Sequence, residues 1–511
     1  MLSYDELTAP ERAVWDAFPE GRQVDLRTGA AGEDRAEEGG RWGPARTVRA
    51  EVVVALLQGA NPAGAGAVAC LKLAGARITG QLGLAGAQID HALWLEGCWC
   101  EQGVDLSGAA TRTLVLVDSR VPGVEAGLIR VEGRLDLRRS RVESGAPSPL
   151  NRRATALSLV NAQVSGAVNL NGAEILAPGE WAVSAGGLVA EGGVYAQDGF
   201  AAHGELRFMG AQIPGGLHLR DARLEDPGPR GVALALDNAV APTLDFSGGF
   251  TARGTVRLRG AQVSDSVSFA GAVLDGPPGG RGHALSAPLL RAADLDLAFA
   301  RPPSGAVDLH GAQVSRLRDD ERSWPEVIEL DGLVYGALAG DEAGGRDPVA
   351  RRLAWIGRSP GYNPQPYEQL ASWYRRDGHD DDARRVLLDK QRRRQHTLPP
   401  VARLWGYLLD ATVGYGYRPW LAGVWLVTLT VLGALVFGAH SPVPVKRGEG
   451  APFQPLVYTL DLLVPVGGLG QRTAWYWPQD GPQWLAYALI ALGWVLTTAV
   501  LAGVTRVLQK N

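Results

Sequence analysis

The chain is poor in residues that carry covalent and redox chemistry. It has three cysteines, Cys70, Cys98 and Cys100, in 511 residues, so any pairing leaves one thiol over and a disulfide scaffold is excluded. Methionine occurs twice. Lysine is almost absent, and the 50 basic residues, nearly all Arg, are balanced by 54 acidic ones for a net charge of −4. That balance gives no electrostatic footprint for nucleic acid, and it is too mixed for a surface imitating DNA. The eight histidines are scattered along the sequence. No metal-ligand spacing, nucleophile elbow, Walker loop or zinc-protease helix is present, so the expectation is no catalytic, cofactor-binding or metal residue. The first residues, MLSYDELTAPERAVWDAF, lack the apolar core of a signal peptide, and the front of the protein is expected to stay in the cytoplasm.

Glycine, by contrast, is abundant: 67 of 511 residues, nearly twice the ordinary share of about 7%. With 46% hydrophobic residues the surplus does not signal disorder. It belongs to a phrase, apolar-x-apolar-x-Gly-Ala-x-Val/Ile, that recurs as LKLAGARI (71–78), LGLAGAQI (82–89), VNLNGAEI (168–175), LRFMGAQI (206–213), VRLRGAQV (256–263) and VDLHGAQV (307–314). Gly75, Gly86, Gly97 and Gly108 step by eleven, and Asn or Asp sometimes stands in the glycine position. In each triplet alternate side chains share one side, so the apolar pair faces inward. Glycine turns the corner with φ > 0, and Ala fits where a larger side chain would strike the next coil. Two repeats make a coil of roughly 22 residues, so residues 71–340 hold about twelve coils at the strand spacing of about 4.8 Å. Insertions at 145–153, 225–231 and 275–282 are expected as corner loops.

These repeats resemble the pentapeptide-repeat and related right-handed β-solenoid proteins, with Ala two residues before a central apolar residue, as in Ala87 and Ile89. The step here alternates between five and six. The resemblance implies a mainly β fold, a right-handed parallel β-solenoid over 71–340. Open solenoid ends need covers, and residues 1–70 are expected to form a helical cap. Within it RTVRAEVVVALLQG (46–59) reads as an amphipathic helix apolar at Val48, Val52, Ala55 and Leu56, preceded by a short helix near Glu11 to Phe18 and a flexible acidic loop at 29–40.

Beyond the repeats, residues 346–398 read as a helical neck. Tyr367, Leu370, Ala371, Tyr374, Gly378, Ala383 and Leu387 fall at the spacing of one tetratricopeptide unit, two antiparallel helices with a glycine turn. Its basic run at Arg392, Arg393 and Arg394 reads as a cluster facing anionic lipid, or as a solvated helix face. Charge then disappears between Arg418 and Lys446 and again between Asp480 and Arg506. The apolar runs 420–440 and 484–505 are long enough to cross a bilayer core of about 30 Å, with Trp420, Trp475, Trp477 and Trp484 placed as interfacial anchors. Cations flank the outer ends of both runs more densely than the loop between them, which predicts a two-span membrane protein with both termini cytoplasmic.

Four segments invite sharper readings. Thr412-Val413-Gly414-Tyr415-Gly416, in the interfacial junction 399–419, spells a potassium-filter sequence, but it precedes the first span and reads as an interfacial turn. In the loop 441–483, the segment 455–470 is apolar, too short to cross and ends in glycines. If it re-enters the bilayer, Asp461 is a membrane-embedded functional residue; the plainer expectation is a helix lying on the outer leaflet with Asp461 in water. Gly64 to Ala69 imitates a dinucleotide fingerprint but follows a helix. Cys98-Trp99-Cys100 lacks the spacing of a redox or zinc pair and reads as core thiols.

The whole arrangement, with its WGYLLDATVGYGYRPW junction, resembles an uncharacterised bacterial membrane-associated family with a cytoplasmic Gly-Ala-rich solenoid and two terminal spans. Relatives are often labelled membrane-associated oxidoreductases, a label that no residue of this sequence supports. The leading expectation is a non-enzymatic, membrane-anchored scaffold whose solenoid meets a protein partner. The alternative is an oligomeric channel or sensor, associating through its spans, with 455–470 at a pore.

Overall fold

The computed structural model describes residues 3–508 apart from 31, 65, 145–153, 278, 280–281, 340–346, 396–398, 400–419, 447–450, 466–467 and 479. The chain divides into two compact units, residues 1–361 and 362–511.

The first unit is built mostly of short parallel strands. One sheet has 13 strands, a second has 19 and a third has five, and successive strands of a sheet come from successive passes of the chain. The register explains the repeat. Leu93, Leu114, Leu135, Val168, Val194, Leu217, Leu244, Val267, Leu295 and Leu317 pair in one unbroken column, and every member is buried. All but Leu317, which is followed two residues later by Asp319, are the first apolar residue of a triplet, so the column is the sequence phrase stacked on itself. The corners follow the same logic. Gly86, Gly210 and Gly260 have φ of 68°, 65° and 63°, and where glycine is missing Asp118, Asn161, Asp221 and Asn238 take the same left-handed conformation, with φ of 52° to 57°. Asn and Asp tolerate that region better than other side chains. The insertion at 226–231 lies beside Pro178, Gly179 and Pro277, so loops from three passes gather at one corner; the insertion at 145–153 is outside the described residues.

The N-terminal cover differs from the expected helix. Val48 lies in a strand, Thr47–Arg49, paired with Arg77–Thr79, and helix α2 begins only at Ala50 (Ala50–Leu57). A second strand, Gln23–Asp25, pairs with Cys70–Ala74. These two sheet edges are therefore covered first by another strand, which satisfies their open amides, and only then by a helix. The acidic stretch is not a loose loop: Asp34 accepts from the amides of Thr28 and Gly29 and pairs with Arg46 at 2.7 Å, while Arg46 lies over the Trp42 ring.

Helix α1 (Ala9–Ala17) is tied to this cover through Glu11, which is 1% exposed. Its carboxylate accepts from the Thr8 and Arg49 amides and from the Arg49 side chain at 2.8 Å. Burial pushes the Glu11 carboxyl up, but these donors outweigh it and hold it at about 2 against an ordinary 4.5. A depressed carboxyl stabilises the fold above its unfolded pKa, and that contribution fades as pH falls through 4.5 towards 2. The expected contribution is on the order of 2–3 kcal/mol. Melting curves recorded from pH 6 to pH 3 should therefore fall more steeply for the native chain than for Glu11→Gln; parallel curves would remove Glu11 from this role.

At the other end of the first unit, helix α3 (Pro348–Ile356) buries Val349, Arg352, Trp355 and Ile356. Arg352 donates to Asp319 at 2.8 Å, and the Trp324 indole donates to the same carboxylate oxygen at 2.9 Å.

The second unit opens with helices α4 (Gln365–Arg376) and α5 (Asp380–Gln395), joined through Gly378 at φ 83°. Tyr367, Leu370, Ala371 and Tyr374 on α4 are buried, as are Ala383, Val386, Leu387 and Leu388 on α5, and Lys390 pairs with Glu368. Helix α6 (Trp420–Gly438) is the one helix among the described residues long and apolar enough to cross a membrane. Helix α7 (Pro455–Leu463), a single turn at Gln471–Ala474 and the 29-residue helix α8 (Asp480–Leu508) follow. Side chains of α8 are described only as far as Thr498.

Candidate functional site

The site is the segment between the two long helices of the second unit, and glycines set its position. A Cβ on Gly438, at the end of α6, would lie 3.6 Å from Pro455. One turn back, a Cβ on Gly433 would meet Thr459 at 2.4 Å and Leu489 at 3.2 Å, and a Cβ on Gly493 would meet the Leu463 carbonyl oxygen at 2.2 Å. Helix α7 therefore starts beside the end of α6, runs antiparallel to it, and ends beside a residue about 20 Å along α8, at 1.5 Å per residue. Only glycine permits such close backbone approach. Phe437, Tyr458, Leu462, Leu463, Trp477, Ala486 and Leu489 form the core that results. The Trp477 indole donates to the Tyr458 hydroxyl at 3.0 Å and stacks on Phe437 at 5.1 Å.

Asp461 is central to this packing. Its side chain is fully buried, which corrects the expectation of a carboxylate in water. One oxygen accepts from the Leu469 amide at 2.7 Å and the other from the Arg472 amide at 2.8 Å. Among the described residues no Lys or Arg side chain pairs with it, and its partners are backbone amides. Gln471 adds a second tie, donating to the Pro452 carbonyl at 3.1 Å and accepting from the Gln454 amide at 3.5 Å. Together the two side chains hold the returning chain, 468–472, along the flank of α7. The turn is made at Gly470, φ 79°. Asp461 is thus a positioning residue that fixes the path of the glycine-containing return.

The other candidates separate. Arg393 pairs with Asp389 at 3.1 Å and lies over the Tyr367 ring, while Arg392 and Arg394 are exposed and also have partners. Their place in the last turn of α5 suits cations at the negative end of the helix dipole. Cys98 and Cys100 are buried free thiols, and burial pushes the Cys98 thiol up to about 12 and Cys100 further still. Such thiols are poor nucleophiles. The filter-like residues 412–416 and the junction that holds them lie outside the described residues, as does Ala65 of the fingerprint-like stretch. One histidine has acidic neighbours that the sequence spacing does not show: His283, Asp308 and Glu329 come together on three neighbouring strands. Compared with protein-family models, curated proteins and solved structures, the chain matches none.

Proposed function

We propose that the chain is a two-span protein of the cell membrane with cytoplasmic termini, whose first unit is a right-handed parallel β-solenoid serving as a non-enzymatic scaffold for a protein partner. The unbroken column of paired apolar residues supports the solenoid. The observation that carries the scaffold reading is an open groove lined by six successive passes of the chain. Gln212, Val240, Gln262, Arg291, Gln313 and Val334 pair in register along it, over about 24 Å at the strand spacing. Val240 and Val334 are 45% and 46% exposed on this line. Repeating amide side chains beside exposed apolar ones suit an extended protein segment better than a small substrate. Many carboxylates elsewhere on this unit are matched to arginines.

For the membrane, α6 turns Val424, Val427, Val431 and Leu435 outward, all more than half exposed, and α8 does the same with Trp484 and Trp494. Water would penalise such faces, whereas lipid tails accept them. The depth reached by α7 supports re-entry of 455–470 between the spans. We extend the proposal to membership of the bacterial membrane-associated family that the sequence resembles, without its oxidoreductase label.

Photocrosslinking in cells tests the scaffold. A benzophenone side chain at Val240 should give a discrete protein adduct, and one at exposed Arg253 should not. Equal or absent crosslinking at Val240, Gln262 and Gln313 would remove the groove as a partner surface. A second reading, an oligomeric channel, is favoured by one observation: a helix packed between two long helices and followed by a glycine-containing return pinned at Asp461. It requires conductance in planar bilayers altered by Asp461→Asn, and a monomer in detergent defeats it, because a central pore needs several copies.

A further inference from the structure

Acidic residues on the polar face of the first unit are commonly answered by arginine one pass away. Arg139 meets Asp118 at 2.6 Å, Arg141 meets Glu174 at 2.7 Å, Arg301 meets Asp275 at 2.6 Å and Arg316 meets Asp294 at 3.4 Å. The passes that carry Asp308 and Glu329 break this pattern. These two carboxylates are partners in register on adjacent parallel strands, where like charges side by side are destabilising. Among the described residues neither is paired with an Arg or Lys. The preceding strand brings His283 instead, whose Nε2 lies 3.3 Å from Glu329 Oε1.

One ligand atom from each of the three side chains lies within 4.8 Å of the other two. Asp308 is oriented by two further donors, the His310 amide at 2.9 Å and the Ser286 hydroxyl at 3.4 Å. His283 and Glu329 are 37% and 40% exposed, so an ion can reach them from solvent. We propose that His283, Asp308 and Glu329 bind a first-row divalent cation of the zinc type. An imidazole nitrogen with two carboxylates suits such a borderline ion better than Mg²⁺ or Ca²⁺, which take oxygen ligands. In a tetrahedral zinc site, ligand atoms at about 2.1 Å from the metal stand about 3.4 Å apart, so small rotamer changes close the set. The ion replaces repulsion between two stacked carboxylates with a bond to each, and it staples three successive strands.

The test is calorimetric titration of the chelator-stripped full-length chain in detergent with zinc chloride at pH 7.5. The expected result is saturable binding of one equivalent at this site, with a rise in melting temperature. His283→Ala and Glu329→Gln should each weaken that binding roughly tenfold or more and abolish the rise. Metal-free Glu329→Gln should melt no lower than the native chain, since it removes one of two stacked charges, which separates lost ligation from lost folding. Native-like zinc binding in both variants would mean ligation elsewhere and would overturn the proposal. So would absence of saturable binding to the native chain.

Discussion

Replacing Asp319 by Ala should destabilise the first unit by about 3–5 kcal/mol, the range for stranding one member of a buried ion pair. The side chains of Arg352 and Asp319 are 1% and 5% exposed, so the substitution removes a buried carboxylate that holds α3 through Arg352. The Trp324 indole loses its acceptor as well, adding the cost of an unpaired buried donor. Chemical unfolding followed by tryptophan fluorescence reads the effect at its source, since Trp324 and Trp355 flank the pair. Asp294→Ala is the control: its partner Arg316 is 63% exposed, and removing that surface pair should change stability by less than about 1 kcal/mol. Replacing the buried pair together, as Asp319→Leu with Arg352→Met, should recover much of the loss, because two apolar groups leave no charge stranded. A loss at Asp319→Ala no larger than at Asp294→Ala would show that α3 is not held by this pair.

The parallel strands and their corners were legible in the sequence because both rest on local rules: alternation of side chains in a strand, and the left-handed backbone that Gly, Asn and Asp accept. The cover over the first strands was misread at Val48 for a reason in the same physics. Val48, Val52 and Leu56 are buried whether residues 47–49 form a strand or a helical turn, so apolar spacing cannot choose, and the open amides of Arg77–Thr79 decide. The stretch 29–40 looked like an acidic loop because its anchor, Arg46, is distant in sequence from the carboxylate it pairs with. His283, Asp308 and Glu329 escaped notice for a related reason. The insertion at 275–282 upsets the repeat spacing just before His283, and only pairing of whole strands brings the three into line.

Asp461 was read as solvated because its partners are backbone amides eight and eleven residues ahead, which leave no side-chain trace in the sequence. The glycine at 493 is equally silent, and the second large effect is expected there. Gly493→Val should dislodge α7, because the new Cβ would stand 2.2 Å from the Leu463 carbonyl oxygen and 2.9 Å from its Cα. Those are backbone atoms, which cannot rotate aside as a side chain can, so helix and return must move together. The cost should be about 1–3 kcal/mol or more, seen as a lower melting temperature in detergent and a red-shifted tryptophan emission as Trp477 leaves the Tyr458 hydroxyl. Gly481→Val, where a Cβ meets nothing within 4 Å, should leave α7 seated and the emission unshifted. If Gly493→Val matches Gly481→Val in both measurements, α7 does not rest against α8. Re-entry of 455–470 between two spans then fails with it, since the depth of that segment is measured from Gly493.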